Sequence, residues 1–246
     1  MALLSNLLSI IYPRTCPSCA GYIGEIRAKG EGPKANVFCK ECLRNLPRTE
    51  QAVIRQNETE MTILGLPSDM ARAAKVMHLD RAAAFLFYEK DHPIQHVIHK
   101  MKYADRPDIG QALGHQAAIE MSMAGFFDGI DVIIPMPLHP RRMRERGYNQ
   151  SEFIARGISE VTGIPVDTTH VERVRNTPKQ ALQKGEERVH NVREAFAVNQ
   201  PEALYKKHIL LVDDLITTGE TMRSCLKAMK RFRGAKFSVL ALCKAR

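Results

Sequence analysis

Asp213 and Asp214 stand side by side between an apolar run, Ile209 to Val212, and a stretch holding Thr217, Thr218, Gly219 and Thr221. Carboxylates are poor ligands for a phosphate and good acceptors for hydroxyls, because their oxygens offer lone pairs and no proton. The residues that follow suit the opposite task. A helix beginning near Gly219 would present unpaired N–H groups and the positive end of its dipole, which is where a phosphate binds. A diol acceptor at one end and a phosphate cradle at the other describe a ribose 5-phosphate site. Helix capping by one Asp or one Thr would explain a single residue of this string and leave the others without a reason.

A second constellation is Cys16, Cys19, Cys39 and Cys42, two C-x2-C pairs separated by 19 residues. This is the spacing of a four-thiolate zinc site, which is structural rather than catalytic because no coordination position stays open. Disulfides are the competing use, but no secretion signal is visible. A single C-x-x-C is compatible with redox work, and two at this spacing favour a metal. Gly21, Gly24, Gly30, Gly32 and Pro33 between the pairs suit a small loop-rich module. Cys225 and Cys243 fall in apolar patterns and are expected to pack.

The third is basic. Arg141, Arg142, Arg144 and Arg146 follow the apolar run Val132 to Ile134 and the residues Pro135, Pro137 and His139. Ligand sites in α/β proteins gather at the C-terminal ends of strands, so this cluster is a candidate anion site on a loop or a helix start. Lys179 and Arg188, with Arg173, lie in a polar, basic stretch from Val171 to Phe196 that follows His170. It reads as a mobile loop able to close over a polyphosphate. His92, His96 and His99 share a helix face opposite Ile94, Val97, Ile98 and Met101, and read as a solvated face rather than a metal site.

Hydrophobic periodicity supplies the elements that must position these groups. Strands are expected at Arg81 to Tyr88, Val132 to Ile134, Ala195 to Val198, Ile209 to Val212 and Lys236 to Leu242. Helices are expected at Asp91 to Tyr103, Asp108 to Met123, Ser151 to Val161 and Glu220 to Arg233. The alternation implies an α/β fold, a mostly parallel sheet with helices on both faces. Leu3, Leu4, Leu7, Leu8 and Ile11 fit a helix packed on the body. Arg48 to Pro67 reads as a connector with a short strand at Met61 to Leu64. The expected organisation is 1–48 as an N-terminal helix and four-cysteine module, 49–80 as a connector or hood, and 81–246 as the main domain. With 246 residues, 44% hydrophobic and 26% charged, the chain is ordinary for a globular protein. Its net charge of +9 is compatible with nucleic acid, with phosphorylated substrates or with no specific partner, and does not choose among them. No run approaches the roughly 18 apolar residues of a membrane span and no signal peptide is evident, so a cytoplasmic location is expected.

Taken together, CPSC, FCKECL, PMPLHPRRMRERGYNQ, RNTPKQ with RVHNVREAF, and ILLVDDLITTGET resemble the ComF family, whose members are linked to DNA uptake in natural competence. The resemblance implies a type I phosphoribosyltransferase domain of Rossmann-like build behind a zinc-ribbon-like module. It implies that Asp213 and Asp214 serve catalysis by holding the ribose hydroxyls of phosphoribosyl pyrophosphate (PRPP). Ile216, Thr217, Thr218, Gly219, Glu220 and Thr221 would surround the 5-phosphate. Pro137, His139, Arg142, Arg144 and Arg146, with Lys179 and Arg188, are the candidates for pyrophosphate. Mg²⁺ would accompany PRPP, and the acceptor is not named by the resemblance. Single-stranded DNA and the DNA-uptake machinery are the implied partners. The alternative is a non-catalytic accessory protein that binds single-stranded DNA with the same fold.

Overall fold

Ile209, Leu210, Leu211 and Val212 are wholly buried, and they form the middle of the strand on which the rest of the fold is hung. The computed structural model describes residues 14–23, 37–49, 54–55, 79–175 and 195–245. The expected N-terminal helix, the expected strand at Met61 to Leu64, and Lys179 and Arg188 lie outside the described residues.

Strands β1 (Ile54–Arg55), β2 (Leu79–Tyr88), β3 (Val132–Pro135), β6 (His208–Ile216) and β7 (Lys236–Ala245) form one sheet in the order β1-β2-β7-β6-β3. The β2–β7, β7–β6 and β6–β3 pairs are parallel, and β1 runs antiparallel to β2 at the edge. β4 (Val171–Arg173) and β5 (Phe196–Val198) make a separate antiparallel pair. Successive residues of a strand point to opposite faces. Ile209 and Leu211 therefore enter one core layer with Met222, Cys225, Leu226 and Phe196, while Leu210 and Val212 enter the other with Val97, Met101, Leu113 and Ile154. Helix α6 (Glu220–Met229) and the β4–β5 pair cover the first layer. Helices α2 (Ile94–Tyr103), α3 (Pro107–Ser122) and α5 (Gln150–Thr162) cover the second. A parallel sheet covered on both faces is the expected α/β architecture.

The structure corrects three expectations and narrows a fourth. The strand expected to stop at Val212 continues to Ile216, because β7 keeps pairing with it through Ile216↔Lys244. Of the two settings expected for the arginine cluster, a loop or a helix start, the helix is found: α4 (Pro140–Arg146), started by Pro140 at its first position and closed by Gly147 at φ 79°. The basic stretch after His170 opens with the strand β4, whose Val171 is buried against β5. The helix after Gly219 also ends earlier than the pattern suggests, at Met229.

α3 and α5 touch backbone to backbone. A methyl on Gly157 would lie 2.1 Å from the Gln111 carbonyl oxygen, and one on Gly114 would lie 2.2 Å from that of Ile154. Both glycines are therefore required by close approach.

At the other end of β6, His208 is buried. Its Nδ1 lies 3.1 Å from the Gly129 carbonyl oxygen and its Nε2 lies 2.8 Å from Ser238 Oγ. One N–H donor and one acceptor nitrogen satisfy this pattern, so the neutral ring fits. Burial lowers its pKa below the usual histidine value, with Asp80 opposing. As pH falls below about 6.5, the unfolded chain takes a proton that the folded chain resists, so the folded state loses stability. Urea midpoints at pH 7.5 and 5.5 should show a larger acid loss for the native chain than for His208→Gln. Equal losses would refute this role.

The four-cysteine segment, which carries the short helix α1 (Lys40–Arg44), is fastened to the same body. Arg48 donates to both Glu120 carboxylate oxygens on α3, at 2.6 and 2.7 Å, and to the carbonyls of Leu43 and Arg44. Cys16, Val37, Phe38 and Leu46 are buried in the layer that holds α2 and α3. Among the described residues no helix is long and apolar enough to cross a membrane.

Candidate functional site

Asp213 and Asp214 occupy the stretch of β6 that outruns its neighbour β3. The β3 pairing ends at Pro135↔Val212, while β7 continues beside Asp213 and onward. The strand's alternation sends the two carboxylates to different surroundings. Asp213 Oδ1 accepts from the Ser151 hydroxyl at the start of α5 (3.2 Å) and from the Asp214 backbone N–H (2.8 Å). Asp214 Oδ2 lies 2.9 Å from Lys102 Nζ, at the end of α2. Burial and the negative charge of Asp214 raise the Asp213 pKa to about 7, against the pull of the Asp214 amide, Lys102 and Ser151. The pair thus offers carboxyl oxygens from two neighbouring residues, a set that can hydrogen-bond a vicinal diol.

The turn 217–219 leads into α6 through Gly219 at φ 75°, and no side chain caps that helix. A left-handed residue is natural for glycine here, since it has no Cβ to clash. Thr217, Thr218, Glu220 and Thr221 are exposed around the turn, and Ile216 is buried beneath it. Neither Asp214 nor a threonine caps the helix. Its first turn, at the positive end of the dipole, can receive a phosphate. Glu220 in that turn lies 3.8 Å from Arg223.

The four arginines of α4 part company. Arg141 pairs with Glu145 on the exposed face, and Arg144 is exposed. Arg146 donates to Gln150 Oε1 at 2.7 Å and lies over the Tyr103 ring at 5.3 Å. Arg142 is half-buried, and its charge helps burial push the Arg173 pKa down, with Asp213 opposing. Two guanidiniums from different elements beside a carboxylate are suited to a polyanion. His139 caps α4 by accepting from the Arg141 N–H at 3.2 Å, and Pro137 lies half-buried in the preceding loop.

Lys102 and Ser151 are the neighbours of the pair that pattern reading passes over, whereas Arg173 belongs to the basic stretch that it singled out. Of the two neighbours, only Lys102 carried a signal, as a charge directly after the last apolar residue of α2. His96 and His99 are exposed, as expected of a solvated face, and His92 Nδ1 accepts from the Ile94 N–H at 3.1 Å. Cys225 and Cys243 are buried, and burial pushes both thiol pKa values up. They pack rather than ligate.

The sulfurs of Cys16, Cys19, Cys39 and Cys42 all lie within 4.8 Å of one another. Cys19 and Cys39 sulfurs are 3.8 Å apart, close to the edge of a tetrahedron with roughly 2.3 Å metal–sulfur bonds. The Gly21 and Cys42 N–H groups donate to the Cys19 and Cys39 sulfurs at 3.4 Å. The donor set fits a metal such as zinc in a closed structural site.

Residues 146–246 match the family model described as phosphoribosyl transferase domain. The DNA utilization protein YhgH of Shigella flexneri is 31% identical over 155 residues, which is 62% of this chain and 67% of that protein. Competence protein F of Haemophilus influenzae is 34% identical over 117 residues, covering 47% of this chain and 51% of that one. A solved glutamine phosphoribosylpyrophosphate amidotransferase from B. subtilis superposes at a TM-score of 0.39 and 21% identity, covering 58% of this chain and 30% of that one.

Proposed function

Because the chain belongs to the ComF family and has a phosphoribosyltransferase fold, we propose that it binds Mg-PRPP and transfers the phosphoribosyl group to an acceptor. One observation carries the reading: the Asp213–Asp214 pair stands just before an uncapped helix N-terminus that begins at a left-handed glycine. Carboxylate acceptors followed directly in the chain by a phosphate cradle suit the hydroxyls and the 5-phosphate of one ribose. The α6 N-terminus, with Thr217, Thr218 and Thr221, receives the 5-phosphate. Asp213 and Asp214 hold the 2- and 3-hydroxyls. Arg142 and Arg173 face the pyrophosphate.

In transfer, the bond from C1 to pyrophosphate breaks and its electron pair leaves with the pyrophosphate. The acceptor's lone pair forms the new bond to C1, and the acceptor gives up a proton. Positive charge grows on the ribose ring as the leaving group departs. The chain contributes by fixing the ring and by placing cations where negative charge accumulates. The carboxylate pair matches the small protein share of a magnesium site, one or two carboxylates with substrate phosphates supplying the rest. Bound Mg²⁺ would neutralise the leaving pyrophosphate.

The test is a calorimetric titration of the full chain with Mg-PRPP, ribose 5-phosphate and pyrophosphate. PRPP is expected to bind tightest, with each fragment weaker. Equal affinity for PRPP and pyrophosphate would mean that the carboxylate pair plays no part. A second reading, single-stranded DNA binding, is favoured by the names of the relatives and by the net charge of +9. It requires an affinity that falls steeply with salt, as counterion release dictates.

A further inference from the structure

We propose that the last turn of α2 is a strap that ties the four-cysteine cluster to the carboxylate pair, with Lys100 held by the first cysteine knuckle and Lys102 holding Asp214. The proposal rests on the PRPP reading above and adds a control on that same site.

Four consecutive residues end α2, and each is fastened to a different part of the molecule. Lys100 Nζ donates to the carbonyl of Pro17, between Cys16 and Cys19, at 2.8 Å. The Met101 carbonyl accepts from the Tyr148 hydroxyl, at the junction of α4 and α5. Lys102 Nζ lies 2.9 Å from Asp214 Oδ2. The Tyr103 ring carries the Arg146 guanidinium at 5.3 Å. Residues two apart on a helix leave it on nearly opposite sides, because each residue turns about 100°. The knuckle and the end of β6 are thus gripped from opposite sides of one turn. Ile94, Val97, Ile98 and Met101 are buried, which fixes the helix's rotation about its axis. Cys16 is packed in the same apolar layer.

Lys102 acts on the ligand through Asp214 and is a positioning residue. Two adjacent carboxylates at the mouth of a phosphate site repel an incoming polyanion. Lys102 cancels one of those charges and uses only one of the carboxylate's acceptor positions, leaving others for a hydroxyl. Its side chain is only 16% exposed, so solvent screens the pair less than it would at the surface. Closing the four thiolates around a metal fixes the knuckle that bears the Pro17 carbonyl. Loss of that closure frees Lys100, loosens the turn and moves Lys102 off Asp214.

Coupling of this kind is reciprocal: if the closed cluster tightens PRPP, then PRPP tightens the metal by the same factor. The experiment uses the full chain loaded with zinc and reads two quantities, the affinity for Mg-PRPP by calorimetry and the affinity for zinc by competition with a chelator. Lys102→Met is expected to weaken PRPP about tenfold, and Lys102→Arg to stay within about threefold of the native chain, as expected for roles of charge rather than packing. Lys100→Met is expected to keep full zinc content and an unchanged melting temperature while weakening PRPP about fivefold, the low end of couplings between sites. PRPP is expected to raise zinc affinity about fivefold in the native chain and to leave it unchanged in Lys102→Met, which controls for zinc binding by PRPP itself. Native PRPP affinity in zinc-loaded Lys100→Met overturns the strap alone. So does zinc affinity indifferent to PRPP. A native chain that does not bind PRPP overturns the parent reading and the strap with it.

Discussion

Asp213→Asn combined with Asp214→Asn is expected to lower the affinity for Mg-PRPP at least 100-fold. Each hydrogen bond from a ribose hydroxyl to a charged acceptor is worth about 1.5–3 kcal/mol, and about 1.4 kcal/mol is a factor of ten. Two such bonds more than account for the loss. The stability response separates a lost ligand from a lost fold. In the folded chain the Asp213 pKa is raised to about 7, by burial and by Asp214. Its value in the unfolded chain is about 3.9. The folded state therefore holds a proton that the unfolded state releases, and stability falls as pH rises from about 4 through 7. Asp213→Asn alone removes this loss, so at pH 8 it should be at least as stable as the native chain while binding PRPP poorly. Asp214→Asn differs, because it deprives Lys102 of its 2.9 Å partner and leaves a partly buried ammonium uncompensated. Calorimetry for binding and urea unfolding at pH 8 measure both effects. Unchanged PRPP affinity in the double variant would remove the carboxylates from the site. A markedly less stable Asp213→Asn would show that this carboxylate serves the fold rather than a ligand.

Gly114→Ala and Gly157→Ala carry the largest expected cost in stability. The added methyl would lie 2.2 Å from the Ile154 carbonyl oxygen in the first and 2.1 Å from the Gln111 carbonyl oxygen in the second. The obstacle in each case is backbone of the facing helix, which cannot rotate aside as a side-chain tip can. α3 and α5 must separate. Overpacking of this kind typically costs about 1–3 kcal/mol, and a backbone collision belongs at the upper end. α5 starts at Gln150, so its displacement also moves Ser151 away from Asp213. Both variants should unfold at lower urea and bind PRPP more weakly. Gly163→Ala serves as a comparison: nothing lies within 4 Å of its added methyl, and its φ of 72° makes its cost one of backbone strain alone. Unfolding midpoints for Gly114→Ala and Gly157→Ala no lower than for Gly163→Ala would contradict the close approach.

The order of residue types alone was enough to read several parts of this protein. An unbroken apolar run such as Ile209 to Val212 is stable only as a strand buried on both faces, and a Thr/Gly turn with apolar spacing beyond it is stable as a helix start. Those are local constraints, so β6, α6 and the carboxylates near the end of β6 are legible from the chain. The four cysteines are legible for the same reason, since two residues between thiols already shape a knuckle. What the arginines do was not legible. Arg142 and Arg146 look alike in sequence, and only the helix they share decides that the charge of one acts on Arg173 while the other lies over Tyr103. Where β6 ends was also a tertiary matter. A polar pair after an apolar run ends the hydrophobic signal, yet strand geometry persists for as long as β7 supplies hydrogen bonds. The partner of Asp214 could not have been read from the chain at all. Lys102 lies more than 100 residues away in sequence and meets Asp214 because the buried face of α2 fixes that helix against the sheet. Short-range pattern determines which elements form. Long-range packing decides which charges meet, because an ion pair depends on distance in space and not along the chain.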